Sequence, residues 1–200
     1  LGDQLPQLAL HETAHAYLDW QRDLYLFVQE DGAGLLHAVK DHFEREANQF
    51  AWELVFQLDT FRQDAEGGEF SLRTPAQLAH RYGTTPYAAI RRFVETNRRA
   101  CALLVWSAPT RADGANWSPR RAAASPAFSR AFADVSWRNI LTPFRYSELL
   151  AGPDFGARHR LDLPGPDRRP VACEVQPLKS DRHLFVLIYP EHELLAVPVP

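Results

Sequence analysis

The chain has 200 residues and a mass of 22.7 kDa, with 46% hydrophobic and 24% charged residues. A chain of this size buries roughly 70% of its unfolded surface, so a core can form without staples, and a disordered polypeptide is excluded. No apolar run approaches the roughly eighteen residues of a membrane span, and a net charge of -3 with a pI near 6.3 argues against neutralising a phosphate backbone as the main task. Only Cys101 and Cys173 occur, and with no secretory segment at the start they read as reduced thiols of a cytosolic, cytoplasmic protein. Met is absent and the first residue is Leu1, as expected for a piece of a longer protein whose missing amino-terminal part would contribute to any substrate cleft.

Three- and four-residue spacing of Leu8, His11, His15, Leu18 and Arg22 predicts one helix, and that of Phe43, Ala47, Phe50, Leu54 and Leu58 a second. Glu30-Asp31-Gly32-Ala33-Gly34 between them is a Gly-bearing break, so the two read as antiparallel. Thr74-Pro75 and Thr85-Pro86 are matched start signals, each a capping residue followed by Pro at the first helical position, where its missing N–H is no loss. With Gly83 between them they predict helices from Pro75 to Tyr82 and from Pro86 to Arg99, the outline of a helix-turn-helix.

After residue 100 the texture changes to short apolar runs between turn residues. Strands are predicted at Cys101 to Trp106, Arg111 to Asn116, Val171 to Val175, Leu184 to Tyr189 and Leu194 to Val199, with a helix within Ser125 to Leu141. Pro164-Gly165-Pro166-Asp167 reads as a loop, and Ser118-Pro119-Arg120-Arg121 as a solvated charge cluster in another. The expected fold class is α+β, a helical half (residues 1–72), a helix-turn-helix-like segment (73–100) and a β-rich C-terminal domain (101–200).

His11-Glu12-Thr13-Ala14-His15 is an H-E-x-x-H motif inside the first predicted helix. Residues four apart stand about 6 Å apart along the axis on one face, so both imidazoles reach one metal ion, while Glu12 points aside and can take a proton from a water there. A hydrolytic zinc site needs a third protein ligand and an open fourth position. Glu44 has the small neighbours Ala47, Asn48 and Ala51 on its helix face and is preferred as that ligand over Glu46, whose neighbours Gln49, Phe50 and Glu53 form a more polar face. His37, His42 and His80 are alternatives that no spacing favours. Asn48, one turn after Glu44, is placed either to orient a ligand side chain or to bond locally within its helix.

An H-E-x-x-H helix, then Glu44-Arg45-Glu46-Ala47-Asn48-Gln49-Phe50-Ala51 about 29 residues on, then the segment Leu78 to Val94 with its Arg91-Arg92-Phe93-Val94-Glu95 helix, resembles the ImmA/IrrE family of zinc metallopeptidases over roughly residues 5 to 107. The resemblance implies a zincin-like catalytic half with His11, His15 and Glu44 as zinc ligands and Glu12 as general base. It further implies a cytosolic bacterial or phage protease that cuts helix-turn-helix repressors, controlling stress-response or mobile-element genes, with manganese as the alternative to zinc. Family sequences often close the second helix with Met and Pro, whereas Leu54-Val55-Phe56-Gln57 stands here and implies a longer helix. Tyr82, Tyr87 and Arg91 are undistinguished candidates for stabilising an oxyanion. Some relatives resemble a GAF-type module in the β-rich part, which here shows no cofactor motif. Direct DNA binding by the Arg-bearing helix pair is disfavoured by the acidic balance and by Ile90, Phe93 and Val94, which need burial. The competing function is a non-proteolytic anti-repressor that keeps a structural metal.

Overall fold

The computed structural model describes residues 5–21, 33–108, 118–133, 159–165 and 169–192. The fold is α+β, with helices in the first half and a five-stranded antiparallel sheet in the second. Two compact units are present, one of residues 1–68 with 77–89, the other of residues 69–76 with 90–200.

In the first unit, helix α1 (Leu5–Tyr17) packs on helix α2 (Ala33–Val55). Their fully buried positions include Ala14, Ala47 and Ala51, side chains short enough for two helix backbones to approach closely. Ala33 and Gly34, read as part of a break, instead open α2. The chain does not continue as helix to Leu58. It leaves α2 at Val55, and Gln57 and Leu58 take left-handed φ values of 50° and 56°. The Leu58 N–H bonds the carbonyl of Glu53 at 2.9 Å, closing the helix end without the Gly that usually serves there. The reversal brings Phe56 against Phe61 of helix α3 (Thr60–Glu66), with ring centroids 4.8 Å apart, and Phe61 meets Tyr82 edge-on at 5.1 Å.

Helix α4 (Arg73–Arg81) and helix α5 (Pro86–Glu95) follow the paired start signals only in part. Thr85 caps as expected, its hydroxyl accepting from the Ala88 N–H at 3.2 Å. Thr74 does not, because α4 already begins at Arg73 and the Thr74 hydroxyl donates to the Glu69 carbonyl at 2.6 Å. Gly83, with φ of 58°, supplies the left-handed residue between the helices, and α5 stops at Glu95 rather than Arg99.

In the second unit the sheet order is β2-β1-β5-β4-β3, built from β1 (Ala102–Ser107), β2 (Ser118–Ala124), β3 (His159–Pro164), β4 (Pro170–Lys179) and β5 (His183–Pro190). The central strands β1 and β5 are near-continuous apolar runs because both of their faces are covered. On one face Leu104, Trp106, Val186 and Ile188 join Phe128 and Phe132. On the other, Phe70 meets Phe93 at 5.6 Å and Tyr189 edge-on at 5.0 Å.

The edge strands escaped the sequence reading. β2 contains the presumed loop Ser118-Pro119-Arg120-Arg121, where a Pro and two exposed Arg suit an edge that must not recruit further strands. β3 alternates exposed Arg160 and Asp162 with Leu161 and Leu163, and turns into β4 at Gly165, where a Cβ would lie 2.6 Å from Val171. Helix α6 (Pro126–Ala131) falls within the predicted Ser125 to Leu141 and ends at its C-cap Phe132. The predicted strands Arg111 to Asn116 and Leu194 to Val199 lie outside the described residues, as does most of Glu30 to Gly34.

Candidate metal centre

His11 and His15 stand one turn apart on α1, and their Nε2 atoms lie 3.2 Å from each other, the rings meeting edge-to-face at 4.8 Å. Helix α2 brings Glu44 to the same point, with Oε2 3.2 Å from His11 Nε2 and Oε1 3.8 Å from His15 Nε2. Their ligand atoms all fall within 4.8 Å of one another, a group that can hold a metal ion. Three electron-rich atoms this close repel one another unless a proton or a cation sits among them, and a metal ion satisfies all three at once. The side chains are 11% exposed for His11, 31% for His15 and 45% for Glu44, so the cluster is walled on one side and open to solvent at the carboxylate.

Gln21, which the sequence reading passed over, completes this corner. Its side chain is buried, with Oε1 3.1 Å from His15 Nδ1 and Nε2 donating to Glu46 Oε2 at 3.0 Å and to the Phe43 carbonyl at 3.5 Å. Both partners on the Nε2 side are pure acceptors, so the amide nitrogen must face them and the amide oxygen must face His15. His15 Nδ1 then carries the hydrogen, so that in the neutral tautomer the Nε2 lone pair is the one directed at Glu44 and His11. His11 differs: its buried Nδ1 has no partner among the described residues.

Glu46 is not a member of the cluster. It accepts from Gln21 and pairs with His42 Nε2 at 3.3 Å, one turn back on the same helix. Asn48 adopts the local alternative, its amide donating to the backbone carbonyl of Glu44 at 2.7 Å rather than to a ligand side chain. His37 and His80 are exposed and outside the cluster, and Glu12 is exposed on α1 next to His11.

Of the candidates for an oxyanion group, Tyr82 is buried and spends its hydroxyl on Asp64 Oδ2 at 2.7 Å, where Arg81 also pairs at 2.8 Å. Burial first, and then the bond to Asp64, push its pKa up to about 12. Arg91 pairs with Glu95 at 2.7 Å. The contacts of Tyr87 do not assign it a role.

No protein-family profile and no curated protein matches the chain. Among solved structures it is similar to a Mycobacterium tuberculosis transcriptional regulator, at 15% identity and a TM-score of 0.48, over 94% of this chain and 56% of that one. The chain thus spans little more than half the length of that regulator. Among the described residues no helix is long and apolar enough to cross a membrane.

Proposed function

We propose that the protein is a zinc-dependent endopeptidase, with His11, His15 and Glu44 as ligands, acting on a helix-turn-helix repressor in the cytoplasm. The observation that carries this reading is the convergence of the three side chains from two helices. Ligand atoms on one tetrahedral zinc, with bonds of about 2.0–2.1 Å, stand about 3.3–3.5 Å apart; here the two Nε2 atoms are 3.2 Å apart, one oxygen of Glu44 is 3.2 Å from His11 Nε2 and its other oxygen 3.8 Å from His15 Nε2. Two imidazoles and one carboxylate suit zinc, with manganese as the substitute where availability favours it. Three protein ligands among the described residues, with a solvent-facing side, fit the pattern of a catalytic rather than a closed structural site.

A bound zinc supplies Lewis acidity, acidifying water and polarising a peptide carbonyl. Glu12 supplies the acid–base chemistry: its exposed carboxylate takes the proton of the attacking water and returns it to the amine that leaves as the C–N bond breaks. The repressor substrate rests on the resemblance to the ImmA/IrrE family. Two features agree with a cytosolic protein that does not read DNA with α5: both cysteines are free and buried, and Ile90, Phe93 and Val94 of that helix are buried.

The deciding experiment compares wild type and Glu12→Gln for zinc content and for cleavage of a repressor panel. About one zinc per chain in both, with cleavage slowed about 10²–10⁴-fold in the variant, is expected. Undiminished cleavage removes Glu12 from the mechanism. Zinc in both proteins with repressor binding but no cleavage in either replaces the peptidase by an anti-repressor with a structural metal.

A further inference from the structure

We infer that Gln21 is the positioning residue of the metal centre: held by Glu46 and the Phe43 carbonyl, it selects the His15 tautomer that can bind a metal and thereby sets metal affinity. The inference rests on the metal reading above and goes beyond it, since no ligand role is asked of Gln21 or Glu46.

A neutral imidazole exists as two tautomers, and only the one with hydrogen on Nδ1 offers Nε2 to an ion held between His15, His11 and Glu44. In a symmetric environment part of the population carries hydrogen on the wrong nitrogen, and the ring is also free to turn. Gln21 removes both freedoms. Its Oε1, 3.1 Å from His15 Nδ1, can only accept, and the amide cannot flip to present its nitrogen, because flipping would set the amide oxygen against Glu46 Oε2 and the Phe43 carbonyl, now 3.0 and 3.5 Å from Nε2. The charge of Glu46 is thus transmitted through a neutral amide to a histidine it does not touch. Gln21 is 2% exposed, so its own amide is shielded from water.

The two histidines are unequal in this respect. His11 Nδ1 is buried without a partner among the described residues, so Gln21 is the only described side chain that orients either ring from behind. Groups that hold a ligating histidine from its far nitrogen typically change metal affinity about 10–100-fold when removed.

The test measures zinc affinity by competition with a chromophoric chelator, and the visible spectrum of the cobalt-loaded protein, for wild type, Gln21→Met and the double variant Gln21→Glu, Glu46→Gln. Gln21→Met keeps the shape of the side chain and removes the acceptor; affinity is expected to fall about 10–100-fold while the cobalt spectrum keeps its three-ligand form. In the double variant an acceptor again faces His15 and the amide at position 46 donates from behind, while one carboxylate oxygen of residue 21 now faces the Phe43 carbonyl; affinity restored to within about tenfold of wild type is expected. Equal affinity in wild type and Gln21→Met overturns the inference while leaving the metal site standing. If Gln21→Met does not fold, the double variant decides alone, and a folded double variant that binds zinc tenfold more weakly than wild type overturns the inference. A wild type that binds neither zinc nor cobalt overturns the metal reading itself and this inference with it.

Discussion

The central strands and the α1–α2 pair bury different chemistry. From Ala102 to Trp106 and from Leu184 to Tyr189 every side chain of β1 and β5 is buried, and all of them are apolar or aromatic. In the helix pair the buried side chains among the described residues are Ala14, Phe43, Ala47, Ala51 and Val55, Gln21 just beyond α1 is buried with them, and the partly covered histidines and Glu44 sit beside them. Apolar burial is worth roughly 25 cal/mol per Å², and alanines contribute little of it. The sheet is therefore stabilised by apolar side chains, whereas the helix pair gives up apolar area for close approach and for polar groups that can hold a cation. A site that binds metal needs lone pairs held without protons, and a saturated hydrophobic core has none to offer.

This contrast can be broken in five ways. Phe128→Ala, in the sheet core, is expected to cost about 3–5 kcal/mol in denaturant unfolding, because Phe128 is fully buried against Phe132 at a ring distance of 4.4 Å. A loss below about 1 kcal/mol would show that the sheet is not the stiffer region. Zinc added at 100 times its dissociation constant is expected to stabilise the native state by about 2.7 kcal/mol. Hydrogen exchange should place the added protection in α1 and α2, and protection appearing in β1 and β5 instead would erase the distinction.

Ser125→Ala should cost about 2 kcal/mol. The Ser125 hydroxyl accepts from the Phe128 and Cys101 N–H groups, both at 3.1 Å, and donates to the Arg99 carbonyl at 2.8 Å, so its loss strands buried backbone groups at the root of both β1 and α6. Unfolding midpoints of the variant and wild type measure it.

Alkaline pH acts on two buried thiols of the sheet unit and on a buried phenol of the helical unit, with burial the leading cause at each. Burial pushes the Cys101 and Cys173 thiols from 9.0 up to about 12. Tyr82 rises from 10.0 to about 12 through burial and its bond to Asp64. Each folded value lies above the unfolded one, so the neutral forms stabilise the fold fully below pH 9, and that stability is lost as pH climbs through about 12. Urea midpoints across this window should fall, and Tyr82→Phe should flatten the part of the loss above pH 10. Alkylation of both thiols should track unfolding; rapid reaction of the native protein would contradict their burial. The smallest effect is Leu58→Gly at the end of α2. Release of a left-handed Leu, about 1–2 kcal/mol, less the entropy Gly adds to the unfolded chain, about 0.4–1 kcal/mol, leaves a stabilisation between about 0 and about 1.6 kcal/mol in thermal unfolding.

Legibility followed locality. The His11–His15 spacing is a property of one helix turn, and the choice of Glu44 over Glu46 could be made from which neighbours on α2 are small. Both are local facts, and the structure brings Glu44 to the two histidines. Gln21 was not singled out because it falls off the periodic positions Leu18 and Arg22 of the predicted helix and matters through Glu46 and Phe43 on another helix. Asn48 was legible as one of two options, and its backbone bond to Glu44 is the option available to any Asn within a helix. The edge strands β2 and β3 lacked the apolar run that marked β1 and β5, since an edge strand has one flank and much of its surface in water.

The amino-acid sequence by itself determined the α+β class, the helix that carries the H-E-x-x-H motif and the apolar central strands, because each depends on short-range periodicity and on the transfer of apolar side chains out of water. Only the tertiary structure decided that the chain turns at Gln57 and Leu58 instead of extending α2, that Glu46 supports Gln21 instead of joining the cluster, and that His15 presents Nε2. Those outcomes depend on groups far apart in sequence meeting within hydrogen-bond distance, where one acceptor facing another is too costly to persist, and no local pattern records which groups will meet.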